Sequence, residues 1–465
     1  MLDDDSLLHT FYLYRPFVLG EDEDEEYGLL GGSNGWDLER WWYKLAHVCQ
    51  RWRKLILGSS SYLGVCLVCS KGTPVADMLA HSPPLPLVVD YFHEPEYSDI
   101  AAEDEDGLTL ALEQRDRVRR IRLRMGITNL QKFITAISGE YPMLGYLIII
   151  PFVKKKAFVL PETLQAPHLH HLYLSCFALP IRSPLRTTVM RFVTLFLNIP
   201  NRTTYFQPNA LLQWISFMPQ LETLVIFFSS PIPGMDRLLS HVPIITPVTL
   251  PNLRWFWFQG DSAYSEAVVR WITTPRLERP EVLFFEQPTF SVPHLVQLIT
   301  RTENLRFNSV TVYFSREQVD AVTSFPGNAE IHLYLRVICP QFDLQVSSMA
   351  QIFDSFNQTF STVEHLTLSG EEHSYSSEEH NEVDRTEWHK LLRSFHHVKT
   401  LHLEYGLVEE ISRCLRLDDG DLPSDLLPEL QELTYSVGGN ADDVFTSFID
   451  ARRTAGRPIT LVVVA

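Results

Sequence analysis

The sequence predicts an α/β fold in which a small N-terminal helical unit precedes an irregular solenoid with a parallel sheet on its concave side. Two observations predict it. Apolar residues recur at the spacing LxxLxL after residue 116, and amphipathic stretches with helical spacing separate the copies. Because one helix and one strand cannot bury both of their faces alone, neighbouring units are expected to stack.

Composition divides the chain into three regions. Residues 1–70 contain two short helical patterns separated by an acidic, glycine-rich insertion at 20–35. Residues 71–115 are rich in proline and acids, and they are predicted to form a connector with room for one strand. Residues 116–465 hold the repeats and are predicted to form a leucine-rich-repeat-like solenoid.

Copies of the repeat define the predicted strands. Their period varies between about 23 and 35 residues, which is wider than in a regular leucine-rich repeat and indicates unequal helices and loops. The three apolar positions of each copy are Val118, Ile121, Leu123; Leu144, Leu147, Ile149; Leu169, Leu172, Leu174; Leu221, Leu224, Ile226; Leu253, Phe256, Phe258; Phe307, Val310, Val312; Val363, Leu366, Leu368; Val398, Leu401, Leu403; and Leu430, Leu433, Tyr435. Weaker copies lie at Phe192, Leu195 and Leu197 and near Leu333 and Leu335.

The strand period of two also predicts which side chains face the concave side. This row is basic at its start, with Arg120, Arg122 and Arg124, aromatic in the middle and polar at its far end. Since Trp and Tyr dominate binding hot spots, we expect the row to recognise a protein. The alternative is that long loops or the chain terminus cover these rings. The expected target-binding residues are Tyr173, Phe196, Phe227, Trp255, Trp257, Tyr313 and His402.

Charge and cysteine usage limit the partners and the compartment. A net charge of −18 argues against nucleic acid, whose affinity comes mostly from Lys and Arg. Six scattered cysteines suit a reducing compartment, so we expect a cytoplasmic or nuclear protein. The opening MLDDDSLL lacks the basic start of a secretory signal. The longest apolar run, LGYLIIIPFV, is too short to span a bilayer and contains Pro151, so no membrane partner is expected.

No motif indicates catalysis, a cofactor or a metal. The sequence has no GxxxxGK[ST] loop, no HExxH and no GxSxG, and Cys66 and Cys69 lack a second ligand pair. The cluster of His168, His170 and His171 has no Cys or carboxylate at ligand spacing, which favours hydrogen-bonded histidines. The basic stretch RDRVRRIRLRM is expected to pair with the acids of the preceding AAEDEDG rather than with phosphate.

The segment WWYKLAHVCQRWRKLI, residues 41–56, predicts an amphipathic helix. It could be a core helix of a small domain. However, the N-terminal unit carries more large apolar groups than so short a unit can enclose, which favours a helical docking module. The shared apolar face consists of Trp42, Leu45, Val48, Cys49 and Trp52, and the basic residues largely away from it are Lys44, Arg51, Arg53 and Lys54.

These residues resemble the F-box. LDDDSLLHTF, residues 2–11, is similar to the opening helix LPxxLLxxIF, and the second helix is similar to WxxLxxVCRxWRxL. KGTPVADMLAHSPPLPLVV and the ending LLPELQELTY...FIDARRTAGRPITLVV resemble the F-box and leucine-rich-repeat proteins abundant in mushroom-forming fungi. Two features depart from the pattern: Asp3 replaces the usual proline, which removes a preset turn, and the insertion widens the gap between the helices.

The resemblance implies a non-catalytic substrate receptor of a Skp-cullin-F-box ubiquitin ligase, whose repeats would hold an unknown target protein. The implied adaptor-binding residues are Leu7, Leu8, Phe11, Trp42, Leu45, Val48, Cys49, Trp52 and Arg53. The alternative is a repeat scaffold whose N-terminal helices only cap the solenoid. Exposure of Leu8, Phe11, Leu45 and Trp52 would favour the receptor, and burial against the first repeat would favour the cap.

Overall fold

The computed structural model forms two compact units, Met1–Tyr205 and Phe206–Ala465. Their boundary lies within the region predicted as one solenoid. The residues that the structure describes are 3–15, 40–92, 100–153, 157–178, 185, 189–232, 246–302, 305, 307–325, 328–371, 385–404, 406–415, 426–436 and 444–464. The insertion predicted at 20–35 lies outside them.

Four short helices lie in the described residues before β1. They are α1 (Asp4–Tyr14), α2 (Trp41–Ala46), α3 (Gln50–Gly58) and α4 (Ser60–Leu63). Asp3, the residue in place of the motif's proline, caps α1, since its carboxylate accepts a hydrogen bond from the Ser6 amide at 2.8 Å. That bond lowers the pKa of Asp3. The start of α1 is therefore stabilised by a side-chain cap instead of a proline.

The helix predicted through Trp42 and Trp52 is broken. Helix α2 ends at Ala46, and α3 begins at Gln50. Cys49 adopts an extended backbone, and its sulfur accepts a hydrogen bond from the Trp52 amide at 3.5 Å, as a capping side chain does. The prediction that Trp42, Val48 and Cys49 share one continuous helical face was thus wrong, because a second helix starts inside the motif.

Helix–strand units complete the first unit. Its described strands are parallel and follow chain order: β1 (Leu67–Ser70), β2 (Leu87–Phe92), β3 (Val118–Met125), β4 (Tyr146–Pro151), β5 (His171–Ser175) and β6 (Thr194–Ile199). The helices between them are α5 (Val75–His81), α6 (Ala102–Glu113) and α7 (Ile127–Ala136). The stretch 71–115, predicted as a connector, holds α5, β2 and α6 and continues the sheet.

The apolar positions of the repeat lie in register across this sheet. Ile121 pairs with Leu147, Leu147 with Leu172, and Leu172 with Leu195. All four side chains are buried. In-register stacking therefore supplies each strand with the apolar neighbours that a single repeat lacks.

The second unit has a longer sheet of mixed direction. In spatial order its strands are β7 (Thr223–Phe228), β9 (Trp255–Gly260), β11 (Arg279–Phe285), β14 (Asn328–Ile338), β13 (Gln318–Phe325), β12 (Ser309–Phe314), β15 (His365–Gly370), β16 (Thr400–Leu403), β17 (Glu432–Ser436) and β18 (Thr460–Val464). A separate pair consists of β8 (Val248–Thr249) and β10 (Ile272–Thr273). The helices are α8 (Pro208–Ile215), α9 (Ser262–Val269), α10 (Pro293–Thr300), α11 (Phe342–Phe356), α12 (Arg385–Arg393), α13 (Leu407–Leu415) and α14 (Thr446–Thr454).

One meander interrupts the parallel order of the second sheet. Strand β13 is antiparallel to both β12 and β14, so β14 pairs in parallel with β11 and β12 pairs in parallel with β15. Two reversals restore the original strand direction, which lets the parallel sheet continue on either side. The prediction of an α/β fold with a mostly parallel sheet is confirmed, and the expectation of an entirely parallel one was wrong at this meander.

A buried arginine fastens the end of the second unit. Arg452 on α14 is fully buried, and its guanidinium donates to the carbonyl oxygens of Leu427, Pro428 and Leu430 at 3.3, 3.3 and 3.1 Å. These carbonyls belong to the turn that leads into β17. The contact joins α14 to the strand beside it.

We expect Arg452→Ala to lower the free energy of unfolding of the second unit by about 2 to 4 kcal/mol, because buried carbonyls lose their donor and a cavity opens. Urea denaturation and hydrogen exchange of the β17 amides would measure this. The matched control is Arg453→Ala, whose exposed side chain pairs with Asp450, and we expect it to cost less than about 0.5 kcal/mol. Equal effects of the two substitutions would contradict this assignment.

Candidate binding surfaces

The residues predicted to bind an adaptor divide into an inward and an outward set. The inward set consists of the buried Leu7, Phe11 and Trp42. Val48 is 58% exposed, and the outward set also includes the exposed Cys49 and Arg53. Leu8, Leu45 and Trp52 are half-buried. The motif thus supplies both a core and a surface.

The inward set holds the N-terminal helices together. The rings of Phe11 and Trp52 meet edge to face with centroids 4.9 Å apart. Asp4 and Arg51 join the same two helices through an exposed ion pair of 2.6 Å. Helix α1 is therefore fixed on α3 mainly by apolar packing, since an exposed ion pair contributes little.

Two further contacts fasten the helices to the first strand. The indole Nε1 of Trp42 donates to the carbonyl oxygen of Cys66 at 3.1 Å, in a buried position. Arg40 donates to the hydroxyl of Ser70 at 3.0 Å. A capping unit would make such contacts, so the burial of Trp42 fits a cap. The exposure of Val48 fits a docking surface instead.

Three exposed apolar side chains beside the motif, Tyr12, Leu13 and Tyr62, were not predicted from the sequence. Leu13 is 69% exposed at the end of α1, and the half-exposed rings of Tyr12 and Tyr62 lie 5.3 Å apart. Helical spacing indicates this exposure, since Tyr12 and Leu13 follow Phe11 directly and lie outside the helical face that Leu7 and Phe11 share. They enlarge the apolar surface of the helical unit.

Three of the predicted target-binding rings are buried. In the first unit Tyr173 and Phe196 stack face to face, with centroids 3.8 Å apart and planes 13° apart. In the second unit Trp257 is 8% exposed and lies against Phe227, with centroids 5.7 Å apart. The expectation of exposure was wrong for Tyr173, Phe196 and Trp257. Contact between rings on adjacent strands contributes to their burial.

The other predicted target-binding residues of the second unit keep partial exposure. Tyr313 is 37% exposed. Trp255 donates through its indole Nε1 to Glu281 at 3.0 Å. Burial raises the pKa of Glu281, against the opposing effect of Arg279. His402 lies 3.3 Å from a carboxylate oxygen of Glu404.

The ion pair described for β3 differs from the predicted pairing with AAEDEDG. Arg122 pairs with Asp90 of β2 at 3.0 Å, and both side chains are largely buried. In AAEDEDG, Asp104 accepts from the Gly72 amide at 2.7 Å and Glu105 pairs with Lys132 at 2.8 Å. Because Ile121 and Leu123 alternate with the arginines and are buried, the arginines point to the opposite side of the sheet.

Two histidines of the cluster at 168–171 have described contacts. Arg191 is hydrogen-bonded to Nδ1 of His168 at 2.6 Å. His171 lies on β5 beside Tyr146, and its buried Nδ1 has no hydrogen-bond partner among the described residues. Burial, with His170 and Arg120, lowers the pKa of His171 to about 4. Its imidazole is therefore neutral at pH 7.

Within the part of the chain that the structure describes, no three His, Cys, Asp or Glu side chains are grouped so that they could hold a metal ion. None of the described helices is long and apolar enough to cross a membrane. No protein-family model matches the chain, and no curated protein matches it. Function is therefore inferred from the surfaces themselves.

Cys49 is the exposed thiol, and the other five cysteines are buried. Burial raises the pKa of Cys69 and of Cys414 to about 12 and that of Cys339 to about 11. We expect a thiol reagent at pH 7.5 to label Cys49 rapidly and the buried thiols only on unfolding, because the thiolate is the reactive form. Counting labelled sites by mass spectrometry in the wild type and in Cys49→Ser measures this. Rapid labelling that persists in Cys49→Ser would contradict it.

His171 predicts a pH dependence of stability. The folded imidazole stays neutral down to about pH 4, whereas the unfolded one gains a proton below about pH 6.5. The unfolded state binds more protons, so the free energy of unfolding falls as pH drops from about 6.5 to 4, by up to about 3 kcal/mol. We expect His171→Phe to reduce this slope and His47→Gln, at an exposed position, to retain it. Equal slopes in urea titrations from pH 7 to 4.5 would refute the assignment.

Proposed function

We propose that this protein is the substrate-recognition subunit of a Skp-cullin-F-box ubiquitin ligase. One observation carries the proposal: the turn between α2 and α3 presents Val48 and Cys49 to solvent, while Phe11 and Trp42 anchor the same helices from inside. An apolar side chain held outward on a fastened helical unit is what a docking surface requires. The sequence pattern WxxLxxVCxxWR resembles the F-box, and this resemblance indicates a Skp-type adaptor as the expected partner.

The proposed adaptor surface consists of the outward set and the half-buried residues next to it in sequence. Leu8, Leu45 and Val48 would bury against the adaptor, with Cys49 and Trp52 beside them. Arg51 and Arg53 would lie at the rim and pair with acids of the adaptor. Leu7, Phe11 and Trp42 act indirectly, since their burial positions the helices.

The mechanism is proximity rather than chemistry on this chain. The adaptor and cullin would hold a charged conjugating enzyme, while the repeat sheet holds the target. Linking the two raises the effective concentration of target lysines near the reactive thioester. This role needs neither a cofactor nor a metal on the receptor, and it suits the cytoplasm or nucleus.

A repeat scaffold is the second candidate. The hydrogen bonds from Trp42 to Cys66 and from Arg40 to Ser70 attach the helices to β1, which favours a cap. A cap explains the buried residues and gives no role to the exposed Val48. The two candidates therefore differ in whether the outward set binds an adaptor.

We expect Val48→Asp to weaken capture of a fungal Skp-type adaptor at least about tenfold, because a carboxylate would be desolvated in the interface. The full chain and the adaptor would be co-expressed and the captured adaptor quantified. Val159→Asp is the matched control, since Val159 is 63% exposed in the same unit and outside the helices. We expect it to capture adaptor like the wild type.

Two readouts distinguish the candidates. Loss of capture in Val48→Asp alone, with protection of the Cys49 thiol by bound adaptor, supports the receptor. Absence of capture by the wild type, or equal capture by both variants, refutes the proposed surface and leaves the scaffold. Circular dichroism of both variants shows whether the fold is retained.

A further inference from the structure

Two successive helix–strand repeats of the second unit enclose a cavity between α9 and α10. Its volume is about 110 Å³, several times the space that one water molecule requires. We name it the α9–α10 cavity. The residues that line it include Val269, Arg270, Thr274, His294, Leu298 and Arg301. The end of α9, the segment that follows it and one side of α10 therefore form its walls.

Two arginines at helix ends give the cavity a positive charge. Arg270 follows the last residue of α9, and Arg301 follows the last residue of α10. Neither arginine makes an ion pair with any described residue. No Asp or Glu side chain is among the described residues that line the cavity. Because each helix end carries only about half a negative charge, two guanidinium groups leave a net positive charge there.

Both guanidinium groups are accessible to a ligand, since Arg270 and Arg301 are exposed side chains. The guanidinium of Arg270 also lies over the ring of Trp271, 5.2 Å from its centroid. Stacking on an aromatic face restrains the side chain and leaves the N–H groups at the edge of the planar guanidinium free to donate. Arg270 is therefore held in place as a hydrogen-bond donor before a ligand arrives.

A buried hydroxyl in the cavity wall has no described partner. Thr274 is 4% exposed, and its Oγ1 is buried without a hydrogen bond to any described residue. Thr302, another lining residue, differs, because its hydroxyl donates to the carbonyl oxygen of Leu298 at 3.0 Å. Since an unpaired buried hydroxyl is unfavourable, a ligand oxygen that accepted a hydrogen bond from Thr274 would be stabilised.

Glu266 is a carboxylate beside this wall, and its charge is directed to α10. Its two oxygens accept hydrogen bonds from the backbone amides of His294 and Leu295, both at 2.9 Å. These amides lie at the amino end of α10, whereas Arg301 lies at the other end. Glu266 therefore compensates the start of the helix and does not pair with Arg301.

We propose that the α9–α10 cavity binds the phosphate group of a small phosphate monoester. At pH 7 such a group carries a charge of about −1.5 to −2, and its oxygens can accept hydrogen bonds from two guanidinium groups at once. The hydroxyl of Thr274 would donate to the same ligand, and the apolar side chains of Val269 and Leu298 would contact its organic part. A carboxylate fits less well, because it brings one negative charge to two arginines. The site uses none of the residues of the proposed adaptor surface.

Isothermal titration calorimetry of the full chain with phenyl phosphate tests this site. We expect Arg270→Gln to weaken binding about tenfold and the Arg270→Gln, Arg301→Gln double variant by more, since each change removes a charge-assisted hydrogen bond. We expect Thr274→Val, which keeps the shape of the side chain, to weaken it about threefold. The matched control is Arg254→Gln, an exposed arginine of the same unit that pairs with Glu278 and does not line the cavity. Its affinity should stay within about twofold of the wild type.

Further probes identify the ligand chemistry. Inorganic phosphate should bind more weakly than phenyl phosphate and lose affinity in the same variants, and phenol should not bind. No binding of phenyl phosphate by the wild type, or equal affinity of all the variants, would overturn the proposal. Tighter binding of a phosphoserine peptide than of phenyl phosphate would overturn the assignment to a small ligand. Unchanged circular dichroism and thermal midpoints without ligand would attribute a loss of affinity to the cavity rather than to unfolding.

Discussion

The structure depends on the in-register parallel pairing of strands that each turn two apolar residues toward the helices. In the first unit the row of Ile121, Leu147, Leu172 and Leu195 is buried as one continuous layer. Because strand side chains alternate with period two, the same register builds the rows on the opposite side. A shift of one residue would turn the arginines of β3 into the core. The side of the sheet on which Arg120, Arg122 and Arg124 lie is therefore specified by the packing of Ile121 and Leu123 behind them.

Much of the sheet could be predicted because the LxxLxL pattern is local. Residues such as Leu366 and Leu368 lie on a strand and are buried, as their spacing indicated. Strand β2 lacks the pattern, so the stretch 71–115 was predicted as a connector. The strands of the meander, β12, β13 and β14, follow one another closely in the chain, but the LxxLxL spacing does not indicate whether two neighbouring strands pair parallel or antiparallel.

The sites show a similar limit. Periodicity indicates the side of a strand on which Tyr173 and Phe196 lie, but their stacking is a contact between two strands. The break before Gln50 is likewise marked by the extended backbone of Cys49, whose sulfur accepts a hydrogen bond from the Trp52 amide. Helical spacing alone could not reveal it, since Cys49 fits an apolar helical face as well as a capping position. Residue type and spacing thus could not predict which of these side chains are exposed.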